Sequence, residues 1–159
     1  MISVTIQALA NLLLRPSPEF VTVRPMLNVL LADGHQNMRK AISDLLKGCA
    51  EMRLVAEASS FREVIDRSSE FHPDVVLMDV HMSDERNVKA SDLKTCLVDC
   101  QLLAMSLWTD EATKVLAKSF GAFMLLDKTK LASELLPSLK LCAQRRSAHE
   151  NQQLQVPSD

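Results

Sequence analysis

The chain has 159 residues, of which 47% are hydrophobic and 24% are charged, a balance typical of one soluble globular domain with a sizeable core. The formal net charge of -2 gives no electrostatic reason to expect a nucleic-acid or membrane surface, so protein or small-molecule partners are expected. The four cysteines form no Cys-x-x-Cys pair, so neither a zinc site nor a disulfide framework is indicated. Without a secretory signal or a bilayer-spanning apolar run, a cytoplasmic location is expected.

Residues 1–25 differ from the rest of the chain and are predicted to be an appended helix followed by a linker. Apolar side chains at helical spacing come first and helix-breaking prolines follow: Ile6, Leu9, Ala10 and Leu13, then Pro16, Pro18 and Pro25. The apolar face of this helix has three open roles, which are packing on the domain, dimerisation and partner binding. In a fourth alternative, Met26 is the natural start of the protein.

From Met26 onward, short apolar runs alternate with amphipathic segments. Five strands are predicted, at residues 27–32, 53–58, 74–78, 101–106 and 123–127. Five helices follow them in turn, with Gly48 and Gly121 placed to end the first and the fourth in the left-handed conformation. Strict alternation of strand and helix indicates a doubly wound α/β fold, in which helices cover both faces of a five-stranded parallel sheet. Residues 146–159 are polar and are predicted to be a frayed tail.

Polar side chains close four of the predicted strands. Asp33 follows the first strand, Asp79 ends the third after "VVLM", Ser106 ends the fourth, and Lys128 follows the fifth. In an open α/β sheet the ligand site lies beyond the carboxyl ends of the strands, so these side chains are expected to converge. Carboxylates suit a hard cation such as Mg²⁺, and a lysine and a hydroxyl suit phosphate oxygens. The set therefore indicates phosphoryl transfer to a carboxylate.

The segments "VLLADGH", "DVVLMDVHM", "LLAMS" and "GAFMLLDK" resemble, in order and spacing, the receiver domain of two-component response regulators. The resemblance covers residues 26–145 and implies a flavodoxin-like sheet with strand order 2-1-3-4-5. It implies Asp79 as the phosphoacceptor, Lys128 as the phosphoryl-contacting lysine and Ser106 as the switch hydroxyl. It also implies Mg²⁺ bound by Asp33, by Asp79 and by the backbone carbonyl of His81.

Several positions depart from the family pattern. Gly34 stands where the family places a second acidic residue that contacts Mg²⁺ directly, so metal affinity is expected to be weakened. Leu107 is large where the family is usually small, and Leu107 and the following Trp108 are expected to crowd the approach to Asp79. Leu125 replaces the aromatic residue that usually moves with the hydroxyl. The loop after Asp79 lacks the usual proline and glycine, and Asp84 or Glu85 is a candidate for an additional oxygen ligand there.

The leading functional hypothesis is a stand-alone receiver that takes a phosphoryl group from a histidine kinase or phosphotransfer protein. It would pass the signal to a downstream protein, or to a second copy in a homodimer, through a surface formed by residues 110–145. No DNA-binding domain is expected, and no enzymatic activity beyond the receiver's own phosphorylation and dephosphorylation. One alternative is a phosphate-independent docking or dimerisation module, favoured by Gly34 and Leu107. Another is a haloacid dehalogenase-type phosphatase, which would require an aspartate where His81 stands.

Overall fold

A computed structural model describes the backbone of residues 26–153 and the side chains of residues 26–148. The predicted helix and linker at residues 1–25 and the last six residues lie outside this range. Strands and helices alternate in the order β1 (Leu27–Ala32), α1 (Gln36–Lys47), β2 (Met52–Ala58), α2 (Phe61–Phe71), β3 (Val75–Asp79), α3 (Ala90–Cys96), β4 (Gln101–Ser106), α4 (Glu111–Ser119), β5 (Met124–Asp127) and α5 (Leu131–Gln153). Short 3₁₀ helices at Glu85–Asn87 and Lys128–Lys130 precede α3 and α5.

The five strands form one parallel sheet in the order β2-β1-β3-β4-β5. Both the doubly wound α/β class and the strand order expected from the resemblance are therefore confirmed. Strand β3 is central and buried along its whole length, as a strand covered on both faces must be. Its register places Asp79 opposite Met105 of β4, at the carboxyl edge of the sheet.

The two faces of the sheet carry separate apolar cores because successive side chains of a strand point to opposite sides. On one face, Leu31 and Leu77 pack with helices α1 and α5. On the other face, Leu30 and Met78 pack with helices α2, α3 and α4. Apolar residues in consecutive positions along β1 and β3 thus supply both cores and explain why these strands read as unbroken apolar runs.

The helix ends agree with the sequence only in part. Gly121 follows α4 with a φ of 88°, the left-handed conformation that was predicted. Gly48 ends α1 with a φ of -73°, so its predicted left-handed cap is wrong. The left-handed cap of α2 is instead His72, with a φ of 45°. The predicted frayed tail is wrong for residues 146–153, since α5 continues to Gln153.

No helix within residues 26–153 combines the length and the apolar character that crossing a membrane requires.

Candidate functional site

Three of the four predicted strand-end residues meet at the carboxyl edge of the sheet. Asp33 directly follows β1, Asp79 ends β3, and Lys128 follows β5. Strand β4 lies between β3 and β5, so the long side chain of Lys128 spans the end of β4 to reach the two carboxylates. All three side chains are buried. The expected convergence of Asp33, Asp79 and Lys128 is found in the structure.

Lys128 forms a buried ion pair with each carboxylate. Its Nζ lies 2.6 Å from Asp33 Oδ2 and 2.6 Å from Asp79 Oδ2. Two aspartates held this close would repel each other strongly in a dry site, and an ammonium group between them offsets that repulsion. With both carboxylates ionised and the lysine protonated, the cluster carries one net negative charge, which suits it to a further cation.

The second oxygen of each carboxylate accepts a backbone hydrogen bond from the residue two positions later. The N–H of His35 donates to Asp33 Oδ1 at 2.8 Å, and the N–H of His81 donates to Asp79 Oδ1 at 2.9 Å. These bonds follow the local turn geometry that aspartate favours after a strand. They fix the orientation of both carboxylates, and Asp33 Oδ1 also lies 3.3 Å from the ring nitrogen Nδ1 of His35.

Arg39 holds the backbone beside the site, a role that the sequence did not indicate. Its guanidinium donates to the backbone carbonyl of Asp33 at 2.7 Å and pairs with Glu57 at 3.2 Å. Because Arg39 extends from α1 and Glu57 belongs to β2, this contact ties the β1 end to its neighbours. The signal was present only as an arginine one turn into the first helix.

Ser106 is buried at the end of β4, and its hydroxyl accepts a hydrogen bond from the backbone N–H of Trp108 at 3.0 Å. In register, Ser106 lies opposite Asp127, whereas Asp79 lies opposite the preceding residue, Met105. The hydroxyl is thus at the same edge as Asp79 and Lys128 and is engaged with the loop that follows β4. Its predicted role as a switch stays a prediction.

A cavity of about 410 Å³ lies beside Asp79, within the range of about 300–1,000 Å³ that is usual for small-ligand sites. Its walls include the residues expected to crowd the approach, but they line the opening without filling it: His35, Asn37, Met38, Asp79, His81, Leu107, Trp108 and Lys128. The rings of His81 and Trp108 meet edge to face, with centroids 5.4 Å apart. Leu107 and Trp108 are both more than half exposed, so they form a rim.

The two acidic residues of the loop after Asp79 contact other groups than the carboxylate pair. Asp84 accepts hydrogen bonds from the N–H groups of Phe61 and Arg62, at 2.9 and 3.0 Å, and so caps the start of α2. Glu85 lies 3.6 Å from the ring nitrogen Nδ1 of His81. The hypothesis that Asp84 supplies an oxygen to the site is therefore wrong in this structure.

Two further aspartates set the backbone around the site. Asp127 accepts hydrogen bonds from the hydroxyl and the N–H of Thr129, which lower the pKa of the Asp127 carboxyl and cap the turn that carries Lys128. Asp110 accepts a hydrogen bond from the N–H of Thr113 at the start of α4, which lowers the pKa of Asp110. Both caps hold the chain on either side of the strand ends.

Donor atoms of Asp33, His35 and Asp79 lie within 4.8 Å of one another, close enough to share a metal ion. The two buried carboxylates fit a hard divalent cation such as Mg²⁺. No carboxylate comes from position 34, although a Cβ built on Gly34 would make only ordinary contact, 3.8 Å from the carbonyl oxygen of Ser59. His35 was not predicted as a ligand. Its place two residues after Asp33 was the available signal.

Comparison with known proteins identifies the family. The family model described as "Response regulator receiver domain" matches residues 29–140. This chain belongs to the response regulator receiver domain family. Among solved structures, the response regulator domain of Thermotoga maritima CheB has a TM-score of 0.65 at 23% identity, covering 75% of this chain and 97% of that one. The receiver domain of the NarL response regulator from Mycobacterium tuberculosis has a TM-score of 0.67 at 23% identity, covering 76% and 98%.

Curated relatives are longer proteins. A protein-glutamate methylesterase/protein-glutamine glutaminase of Syntrophomonas wolfei is 29% identical over 135 residues, which are 77% of this chain and 38% of the relative. The transcriptional regulatory protein DegU of Brevibacillus brevis is 28% identical over 119 residues, covering 74% and 50%. The response regulator VraR of Staphylococcus aureus is 26% identical over 125 residues, covering 78% and 60%. The matched part thus covers 38–60% of the length of these relatives.

Proposed function

We propose that this receiver accepts a phosphoryl group on Asp79 from a phosphohistidine of a histidine kinase or phosphotransfer protein. The observation that carries the proposal is the ion pair of Asp79 with Lys128, 2.6 Å apart, at the wall of an open cavity. A carboxylate fixed in orientation and facing a space for a donor is suited to attack phosphorus. The matching family makes this the expected chemistry of the position.

In the proposed step, a carboxylate oxygen of Asp79 forms a bond to phosphorus while the bond from phosphorus to the donor's imidazole nitrogen breaks. The electron pair of the broken bond stays on that nitrogen. Asp79 loses its negative charge on becoming an acyl phosphate, so the ammonium of Lys128 is free to pair with a phosphoryl oxygen. Ser106 would donate its hydroxyl hydrogen to another phosphoryl oxygen, while its oxygen can still accept from the N–H of Trp108.

A divalent cation such as Mg²⁺ would be held by Asp33, by Asp79 and by the backbone carbonyl of His81. When bound, it would supply positive charge against the phosphoryl oxygens. Asp33 remains a carboxylate throughout and keeps one oxygen on Lys128. Because position 34 offers no carboxylate, the affinity for Mg²⁺ is expected to be lower than with a second acid there.

We further propose that the signal leaves by protein contacts, without a reaction on another substrate, from a receiver that acts on its own. The surface formed by residues 110–145 would carry these contacts, and the 60% exposure of Val115 on α4 is consistent with such a role. A homodimer through this surface, or a downstream protein, would receive the signal in the cytoplasm. The phosphatase alternative finds no support at position 81, where the side chain is an imidazole packed against Trp108.

The second candidate function is a docking module that never carries phosphate. Its specific support is that each of the four carboxylate oxygens of Asp33 and Asp79 already has a donor within the protein. In that case Lys128 neutralises the pair permanently, and the domain contacts its partners in one conformation.

Intact-protein mass after incubation with acetyl phosphate and Mg²⁺ separates the two candidates. The small donor avoids the need for the cognate kinase. One added phosphoryl group in the wild type, lost in Asp79→Asn, is the expected result. Asp84→Asn is the matched control, because it removes a charge from the same loop at a residue that caps α2, and it should be labelled normally.

Label retained in Asp79→Asn would refute the assignment of Asp79. An unlabelled wild type, at any Mg²⁺ concentration, would favour the docking module.

A further inference from the structure

His35 brings an imidazole nitrogen to the carboxylate pair at a distance that matches shared metal ligation. Its Nδ1 lies 3.3 Å from Asp33 Oδ1. Two donors that each lie about 2.1 Å from a tetrahedral ion are separated by about 3.4 Å. With Asp79 in the same group, all three donor atoms lie within 4.8 Å of one another, so modest side-chain rotation brings them onto one ion.

The donors are available without breaking the ion pairs of Lys128. Lys128 holds the Oδ2 atoms of both aspartates, which leaves the two Oδ1 atoms for a metal. Each Oδ1 has one backbone donor, and the His35 nitrogen beside Asp33 Oδ1 would itself bind the ion. The side chain of His35 is 81% exposed, so its ring is already hydrated and turns toward the pocket without a large change in burial.

The backbone conformation at position 34 does not require a glycine. The residue lacks a positive φ, and a side chain there would meet only the carbonyl oxygen of Ser59 at 3.8 Å. An aspartate would therefore fit at position 34, and its absence changes the chemistry of the site without relieving strain. The pocket offers two carboxylates and one imidazole in place of an all-carboxylate set.

This donor set favours a different class of metal. Mg²⁺ selects oxygen ligands and loses its waters reluctantly, whereas imidazole suits Zn²⁺ and its first-row neighbours. We propose that Asp33, His35 and Asp79 bind a divalent transition ion of the Zn²⁺ class in preference to Mg²⁺. The inference uses the pocket of the proposed function but does not depend on phosphorylation of Asp79.

Titration calorimetry of the full, unphosphorylated chain with Zn²⁺ and separately with Mg²⁺ tests this proposal. The wild type should bind one Zn²⁺ more tightly than Mg²⁺. His35→Gln should weaken Zn²⁺ by about tenfold or more, on the scale of losses seen when metal sites are perturbed, while leaving Mg²⁺ unchanged. Gly34→Asp should raise the affinity for Mg²⁺ and so reduce the difference between the affinities for Zn²⁺ and Mg²⁺. Asp79→Asn should weaken both.

The matched control is His72→Asn, a histidine removed at the left-handed end of α2, where asparagine is tolerated. It should bind Zn²⁺ as the wild type does. Circular dichroism confirms that each variant is folded.

Absence of Zn²⁺ binding, equal affinity in His35→Gln, or Zn²⁺ retained in Asp79→Asn would each overturn the proposal, the last by placing the ion elsewhere, for example on cysteines. The acetyl phosphate assay measures phosphorylation of Asp79 independently of metal affinity. A chain that binds Zn²⁺ but takes no phosphoryl group would refute only the proposed function, and the reverse result would refute only the metal preference.

Discussion

Lys128 and Asp79 form a buried ion pair, 2.6 Å between Nζ and Oδ2, that joins the ends of β5 and β3 across the intervening strand. Asp33 completes the cluster on the other side of the same ammonium. Stability and chemistry therefore depend on one side chain, since Lys128 is the cation that both carboxylates share.

Replacing that lysine should destabilise the fold. In Lys128→Ala, two buried carboxylates lose their shared cation, and the free energy of unfolding should fall by about 3 kcal/mol. Because an added divalent cation takes over the missing charge, it should stabilise this variant more than the wild type. Urea unfolding with and without Mg²⁺ or Zn²⁺ measures both effects. Lys130→Ala, which removes an exposed lysine two residues away, should unfold almost as the wild type does.

Asp84 should contribute to stability through α2 and not through the pocket. Asp84→Ala removes the acceptor for the N–H groups of Phe61 and Arg62 and should lower the free energy of unfolding by about 1 kcal/mol. Asp84→Asn keeps one acceptor oxygen, so its free energy of unfolding should lie between those of the wild type and Asp84→Ala. Thermal unfolding measures the difference. A variant as stable as the wild type would mean that water or Ser60 satisfies these groups equally well.

Gly48 and Gly121 should respond oppositely to the same substitution. Gly121→Ala forces an alanine into the left-handed region at a φ of 88°, at a cost of about 1–2 kcal/mol. Gly48→Ala at a φ of -73° should stabilise by about 0.4–1 kcal/mol, because it restricts only the unfolded chain. Denaturant titrations of both variants measure their free energies of unfolding. Equal changes in Gly48→Ala and Gly121→Ala would contradict the assigned backbone conformations.

Two cysteines should resist alkylation in the native protein. Burial raises the pKa of the Cys100 thiol to about 12, with Cys96 and Asp99 adding to the effect, and burial raises the pKa of Cys142 to about 11. At pH 8 only about one Cys100 thiol in ten thousand is the reactive thiolate, and that fraction rises about tenfold per pH unit. Iodoacetamide labelling should therefore be slow and should accelerate with pH.

Peptide mass spectrometry after labelling in native buffer and in denaturant provides the comparison for each cysteine. Rapid native labelling of Cys100 at pH 8, equal to that in denaturant, would show that the thiol is not protected by burial.

The sequence predicted the strands to within a residue because buried parallel strands read as continuous apolar runs. It also predicted that Asp33, Asp79 and Lys128 meet, since the carboxyl ends of parallel strands share one edge. Interactions between distant segments were beyond such reasoning, and Asp84 illustrates this, because its partners lie more than twenty positions earlier.

Helix caps and loop residues were likewise predictable only where the residue type itself carries a signal. The left-handed cap at His72 carries only a weak signal in its residue type, whereas the signal at Gly121 is strong. His35 was overlooked as a ligand because an exposed histidine after a strand resembles an ordinary loop residue. The position of its ring nitrogen Nδ1, 3.3 Å from Asp33 Oδ1, distinguishes it.

The last helix is longer than the sheet it packs on. At 23 residues, α5 extends about 35 Å, whereas a six-residue strand such as β4 extends about 20 Å. The helix begins directly after the turn that carries Lys128, so a change of direction at that turn would be amplified along its length. A tilt of about 5° at Leu131 displaces the far end by about 3 Å at this length. Pro137, in the second turn, has no N–H to donate, so the helix has a weak point close to its start.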